Sequence, residues 1–238
     1  VVARSTDDGE TWKETEVDDS VKAIERFIVF FPPAPSLAVD PKDGAIYVSF
    51  HDARAGNPDV YLWSSSDKAK TFSAARRVND TPSGDKSTQY LPKVAVAPGG
   101  RVDVVYYDRR TDPKDVLNRV SLQSSTDKGA SFGKKMTLSD PDLRGFDSRI
   151  GFGSERDMPD LGSRLGLISG DDSTLAVWTD TRAGTEASNK QDLGRAIVEF
   201  SEASPLRPIL RLGGAALILV GLLILASWAI GSRKNSAT

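Results

Sequence analysis

The feature that most constrains this chain is a short run recurring at a fixed interval. Residues 5–12 read S-T-D-D-G-E-T-W, 65–72 read S-S-D-K-A-K-T-F, and 125–132 read S-T-D-K-G-A-S-F. Their aromatic ends fall at Trp12, Phe72 and Phe132, 60 residues apart each time. A regular period of this kind predicts a repeat architecture before any local assignment is made. The residue types within each run predict a folded turn. Asp7, Asp67 and Asp127 can accept hydrogen bonds from backbone N–H groups just ahead of them. Gly9 and Gly129 supply a positive-φ position without a Cβ clash. The hydroxyls satisfy neighbouring backbone groups, and the aromatic residue returns the chain to an apolar layer. The middle copy carries Ala69 in place of glycine. A left-handed alanine costs roughly 1 to 2 kcal/mol, so that turn is expected to be strained or built differently.

The intervening segments repeat as well. The stretch 36–54, S-L-A-V-D-P-K-D-G-A-I-Y-V-S-F-H-D-A-R, aligns with 93–110, K-V-A-V-A-P-G-G-R-V-D-V-V-Y-Y-D-R-R, and with 165–182, L-G-L-I-S-G-D-D-S-T-L-A-V-W-T-D-T-R. Each is a short apolar strand, a Gly/Asp turn and an alternating strand that ends in an aromatic residue and an Asp/Arg pair. This is hairpin chemistry. A third strand is expected at 59–64, 116–123 and 196–200. In two of the three units the turn motif and a fourth strand follow. The units fall at about 36–78, 92–138 and 163–201, with half a unit before them. The stretch 21–31 is apolar and fits a strand or a short helix, ended by Pro32, Pro33 and Pro35.

The spacing S-x-D-x-G-x-[ST]-[WF] is that of the Asp box, or bacterial neuraminidase repeat. On it the chain resembles the sialidase superfamily, as a C-terminal portion with a membrane anchor. The resemblance implies an all-β, sialidase-like β-propeller with about three and a half four-stranded blades, as a fragment of six. Roughly eleven strands would then lie on the N-terminal side. It also implies an exo-sialidase-like glycoside hydrolase acting on terminal sugars of glycans. Such enzymes use a Tyr nucleophile with a carboxylate partner, an acid/base Asp and arginines that grip the sugar carboxylate. Tyr90 and Glu155 are the catalytic candidates, and no family motif fixes either one. Arg54, Arg110, Arg182 and Arg149 are the candidates for substrate binding, since a guanidinium fork matches a carboxylate. The Arg-Ile-Pro signature of these enzymes is absent, and Arg149-Ile150-Gly151 does not replace it. The other functional class is a non-catalytic propeller that binds glycans or proteins at a cell surface.

In a meander of strands A to D, the A–B and C–D turns share one end, and the B–C and D–A connections share the other. The Asp boxes are C–D turns, which makes Asp7, Gly9, Trp12, Asp67, Phe72, Asp127, Gly129 and Phe132 structural residues. The Asp/Arg pairs lie at the opposite end. They read either as sugar-gripping arginines or as a corner ion pair that every unit needs. The long connection 137–163 and the connection 79–91 share that end; long loops are often functional. His51, the sole histidine, reads as a solvated corner residue.

Formal net charge is −2, which gives no basic surface for nucleic acid. There is no cysteine, so disulfides and thiolate metal sites are excluded. No cofactor and no metal are expected; acidic loops leave room for Ca²⁺ without a motif for it. The propeller is assigned to 1–203 and a linker to 204–211. Within 212–230 lie 19 residues without a charge. At 1.5 Å per residue a helix there spans about 28 Å, close to the hydrocarbon thickness. A transmembrane helix is therefore expected over 212–231, with Trp228 at an interface and 232–238 as a short cytoplasmic tail. The expected partners are a glycan or glycoconjugate and the lipid bilayer. The expected location is the cell membrane, single-pass, with the propeller outside.

Overall fold

The structure is a computed structural model that describes residues 1–22, 34–82, 84–115, 117–139, 146–147, 165–180 and 192–200. The chain divides into two compact units, 1–200 and 201–238. The second unit, and with it the linker and apolar segment expected at 204–231, lies outside the described residues, as does most of 21–31. Among the described residues no helix is long and apolar enough to cross a membrane.

The first unit is all-β. Strands β1 (Val2–Arg4) and β2 (Lys13–Thr15) form a hairpin around the first turn motif. Next comes an antiparallel meander of β3 (Ser36–Val39), β4 (Ile46–Asp52), β5 (Asp59–Ser65) and β6 (Arg76–Arg77). A third sheet repeats that order with β7 (Gln89–Val96), β8 (Val102–Asp108), β9 (Leu117–Ser125) and β10 (Met136–Thr137). A short β11 (Phe146–Asp147), from the long connection, adds to β9 by pairing with Leu117 and Asn118. Strands β12 (Gly166–Ser169), β13 (Ser173–Asp180) and β14 (Asp192–Glu199) make a fourth, three-stranded sheet. Sheets of this kind, joined in order, are propeller-like units.

Two apolar cores lie between successive sheets. Val102, Val104 and Tyr106 of β8 pack with Tyr47, Val60 and Leu62 of the second sheet. Val105 and Tyr107 of the same strand pack with Leu167, Ala176 and Trp178 of the fourth. Both faces of β8 are buried, which is why it reads V-D-V-V-Y-Y-D with so little polar interruption.

The three turn motifs are built alike. Asp8 and Gly9 have φ of 57° and 95°, Lys68 and Ala69 have 63° and 57°, and Lys128 and Gly129 have 60° and 80°. In each, the first Ser Oγ accepts the N–H four residues on, at 2.8, 3.0 and 2.8 Å. The Asp carboxylate accepts the N–H of Thr11, Thr71 or Ser131 at 2.9, 3.0 and 2.8 Å, and the hydroxyl of the same residue. Hydroxyl and N–H donors from Thr11 or Ser131, with Ser5 or Ser125, bring Asp7 and Asp127 down to about 2; Thr71 and Ser65 hold Asp67 lower still. Ala69 thus adopts the left-handed conformation of the glycines instead of a different turn.

Two strand limits differ from the sequence expectation. Strand β7 starts at Gln89 instead of after Pro92, because a bulge between Tyr90 and Lys93, with Leu91 at φ 50°, carries the strand past the missing proline N–H. Strand β14 starts at Asp192 instead of Ala196, since β13 offers it a full-length partner ending at Asp180.

Candidate functional site

The end of the sheets opposite the turn motifs is built from B–C corners and D–A connections. In the second sheet, Asp52 accepts the backbone N–H of Arg54 at 2.8 Å and the guanidinium of the same residue. Arg54 also reaches Asp18, 2.8 Å away, just past the end of β2. Its guanidinium lies over the rings of Tyr61 and Trp63, at 5.0 and 5.7 Å. The third sheet repeats the corner. Asp108 accepts the N–H of Arg110 at 3.0 Å, and Arg110 Nε stands 2.7 Å from its carboxylate as an ion pair. Arg110 also pairs with Asp80, which follows β6. Each corner arginine therefore latches its sheet to the exit of the preceding one. Burial pushes the Asp18 carboxyl up, but donors from Ser20, Arg54 and Trp63 outweigh it and hold it well below the usual range.

Tyr90 lies at the same end, on the bulge of β7. It is fully buried. Its hydroxyl donates to Asn118 Oδ1 at 2.8 Å and accepts from Arg109 at 3.3 Å. The Arg109 guanidinium stands 4.8 Å from the centre of the Tyr90 ring. Arg109 also donates to Asn118 Oδ1 at 3.1 Å and to the Asp115 carbonyl at 3.0 Å. Asp115, at φ 51°, accepts the N–H of Thr88 at 2.8 Å and ties the B–C corner to the D–A connection. A phenol, a guanidinium and an amide thus share one cluster.

His51 is buried, not solvated, because the β7 bulge lies over it. Its Nδ1 accepts the N–H of Leu91 at 3.2 Å, and its ring stacks on Phe50 with centroids 4.5 Å apart. Burial pushes its pKa from 6.5 down to about 4, against the opposing pull of Asp52. In the unfolded chain the imidazole titrates near its ordinary value, so between pH 6.5 and 4 the unfolded state binds the extra proton. Stability is therefore fully present above that window and falls as pH drops through it, by roughly 3 kcal/mol. Urea melts at pH 7 and pH 4.5 should show this step, and His51→Gln, whose amide oxygen can still accept from Leu91, should flatten it.

Of the sequence candidates, Arg54 and Arg110 sit in separate corners on carboxylate partners, and Tyr90 sits in the arginine–amide cluster. Arg149, Glu155 and Arg182 lie outside the described residues. Sequence reasoning missed Asn118 and Asp18, which belong to no motif, and passed over Arg109 beside Arg110. The D-R-R run at 108–110 was the available signal for Arg109, since only this unit carries two arginines. Among the described residues no group of three His, Asp or Glu side chains could hold a metal ion.

No protein-family model matches the chain, and no curated protein matches it. Similar solved structures include an α-L-arabinofuranosidase of Fusarium graminearum in complex with an iminosugar inhibitor, at 16% identity and a TM-score of 0.49, over 70% of this chain and 45% of that one. An α-L-arabinanase of Penicillium chrysogenum complexed with arabinobiose has 15% identity and a TM-score of 0.48, over 79% of this chain and 54% of that one. The Hadza microbial sialidase has 13% identity and a TM-score of 0.43, over 72% and 35%. The chain spans about half the length of the first solved structures it matches.

Proposed function

We propose that the chain is the sialidase-like β-propeller part of a membrane-anchored glycoside hydrolase that acts on terminal sugars of glycans outside the cell. The observation that carries the reading is the Tyr90 hydroxyl, bonded by Arg109 and Asn118 at the end where the B–C and D–A connections meet. In this reading Tyr90, fully buried in this structure, is the nucleophile and must be uncovered for the sugar to reach it. Its oxygen attacks the anomeric carbon as the glycosidic C–O bond breaks; its proton passes to a carboxylate, assigned to Glu155, and the leaving oxygen takes a proton from a carboxylic acid in the role of the acid/base Asp. Water then releases the sugar from the tyrosine. Arg109 stabilises the phenolate, and Arg149 and Arg182 grip the sugar. The three Asp-box turns support the propeller assignment, because all share one hydrogen-bond pattern at equal spacing. The apolar segment 212–231 is the proposed anchor.

A second reading is a non-catalytic propeller that binds glycans or proteins. It is favoured by Arg54 and Arg110, each of which is held by two carboxylates. The two readings separate in one assay. Full-length protein is offered fluorogenic sialosides and arabinofuranosides and, in parallel, the corresponding immobilised glycans. The hydrolase reading expects turnover, with kcat lowered about 10²–10⁴-fold by Tyr90→Phe. Binding without turnover would move the assignment to the second reading. Alkaline carbonate should leave the same protein in the membrane pellet if 212–231 spans the bilayer.

A further inference from the structure

We infer that the seam between the second and third sheets, at the Asp-box end, is a binding site for a single neutral sugar ring. A pocket of about 270 Å³ opens there. Sites for drug-sized ligands run from roughly 300 Å³ upward, so this one suits a smaller molecule. Its walls include Tyr47, Ser64, Ser66, Thr71 and Phe72 of the second sheet, and Lys128 from the third Asp box.

One buried group points to a ligand. Tyr47 lines the pocket, is 0% exposed, and its hydroxyl has no hydrogen-bond partner. A buried hydroxyl left unbonded is costly, and native structures rarely leave one so. Burial, with Asp40 and Asp43 nearby, pushes the phenol up to about 12, so it remains a donor at neutral pH.

The repeat supplies an internal comparison. Tyr47 pairs across the ladder with Ser64, and the corresponding pair in the third sheet is Asp103 with Ser124. Asp103 is satisfied from within the chain, by Arg101 at 3.0 Å, Ser124 at 2.6 Å and Thr174 of the fourth sheet at 2.6 Å. Those bonds close the seam between the third and fourth sheets. In the seam before it, Ser64 turns to Ser73 instead, and the Tyr47 hydroxyl, on a residue that lines the pocket, is left buried without a protein partner. The two seams share an architecture and differ in what fills them.

The lining selects the ligand class. Half-buried Phe72 offers an aromatic surface to the C–H face of a sugar ring, and serine and threonine hydroxyls surround it with donors and acceptors. Lys128 is already neutralised by Asp43, so an anion gains little there. The site lies at the opposite end of the strands from Tyr90. It is therefore a second glycan contact, independent of the hydrolase reading, and it would add avidity to any binding at the other end.

The test uses full-length protein and ligand-detected NMR titration with the methyl glycosides of galactose, glucose and N-acetylglucosamine. Glycerol serves as the simple polyol, and an oligosaccharide ending in the same sugar as the chain-end probe. At least one glycoside should bind with millimolar Kd and glycerol should not. Tyr47→Phe should weaken binding at least tenfold while leaving Tm unchanged or higher, with glycoside turnover unaltered. Ser66→Trp, at an exposed position on the rim, should abolish binding by filling the mouth. Equal binding by the oligosaccharide assigns the site to glycan ends; binding of the methyl glycoside alone assigns it to free sugar. The proposal is overturned if no glycoside binds, if glycerol binds as well as the sugars, or if both variants bind like the parent. A fall in Tm for Tyr47→Phe also overturns it, since that would make the hydroxyl an internal structural donor.

Discussion

Gly129→Ala should destabilise the protein by about 3 kcal/mol, measured as a drop in the urea midpoint at constant slope. Two separate effects add at this position. Gly129 has φ of 80°, where an alanine costs roughly 1 to 2 kcal/mol. A Cβ there would also stand 2.5 Å from Leu62 Cδ2, in the core between the second and third sheets. Overpacking of that kind costs about 1 to 3 kcal/mol. The other two turns act as controls. Gly9 has φ of 95°, and a Cβ there would meet only Trp12, at 3.9 Å. Gly9→Ala should therefore show the conformational cost of about 1 to 2 kcal/mol alone. Ala69 already carries that cost at φ 57°, offset by a buried methyl group worth about 0.8 kcal/mol. Ala69→Gly should be neutral or stabilising by up to about 1 kcal/mol. Equal effects at 9 and 129 would mean that the third turn does not pack against the neighbouring sheet.

Arg110→Met should be the other large loss, about 3 kcal/mol, because it strands a buried charge. Asp108 is 1% exposed. Without the guanidinium it retains only neutral donors: the Gln89 amide at 3.2 Å, the Ser121 hydroxyl at 2.9 Å and the backbone N–H of residue 110 at 3.0 Å. Breaking a buried pair costs roughly 3 to 5 kcal/mol, and these donors place the loss at the lower end. Asp80 would also lose its ion-pair partner across the sheet boundary, keeping only the Lys135 N–H there. The double variant Arg110→Met with Asp108→Leu should recover much of the loss, since replacing both partners is far less costly than removing one. No recovery would mean that Arg110 acts through contacts other than this corner.

The strands and their order were legible from alternation and turn chemistry, as in 36–54 and 93–110, because those signals are local. The hydrogen bonds of the repeated turns were legible for the same reason: every donor and acceptor lies within a few residues of the Asp. What lay hidden is non-local. Pro92 reads as a strand breaker, yet a bulge lets β7 run through it, and only the partner strand shows that. His51 reads as a solvated corner until the next sheet is laid over it. Asp18 looks like any acidic loop residue, and its role depends on an arginine 36 residues away. The Asp/Arg corners could be read from sequence in two ways. In the second and third sheets the arginines take the corner ion pair. The Tyr90 cluster was only half visible, because Asn118 carries no motif and meets Tyr90 only once β7 and β9 flank β8.

The central proposal is a division of labour between the two ends of the sheets: the repeated turns hold the architecture, and the proposed chemistry belongs to the corner end. Glycoside turnover by Tyr90→Phe and by Asp67→Asn, measured side by side in the full-length protein, tests it most directly. The account predicts that Tyr90→Phe lowers kcat by about 10²–10⁴-fold at a temperature where the protein is folded, with a fall in Tm from the lost bonds to Asn118 and Arg109. It predicts that Asp67→Asn lowers Tm and leaves kcat within about twofold at a temperature where the protein is folded. Full turnover by Tyr90→Phe, or loss of turnover by a folded Asp67→Asn, would contradict it.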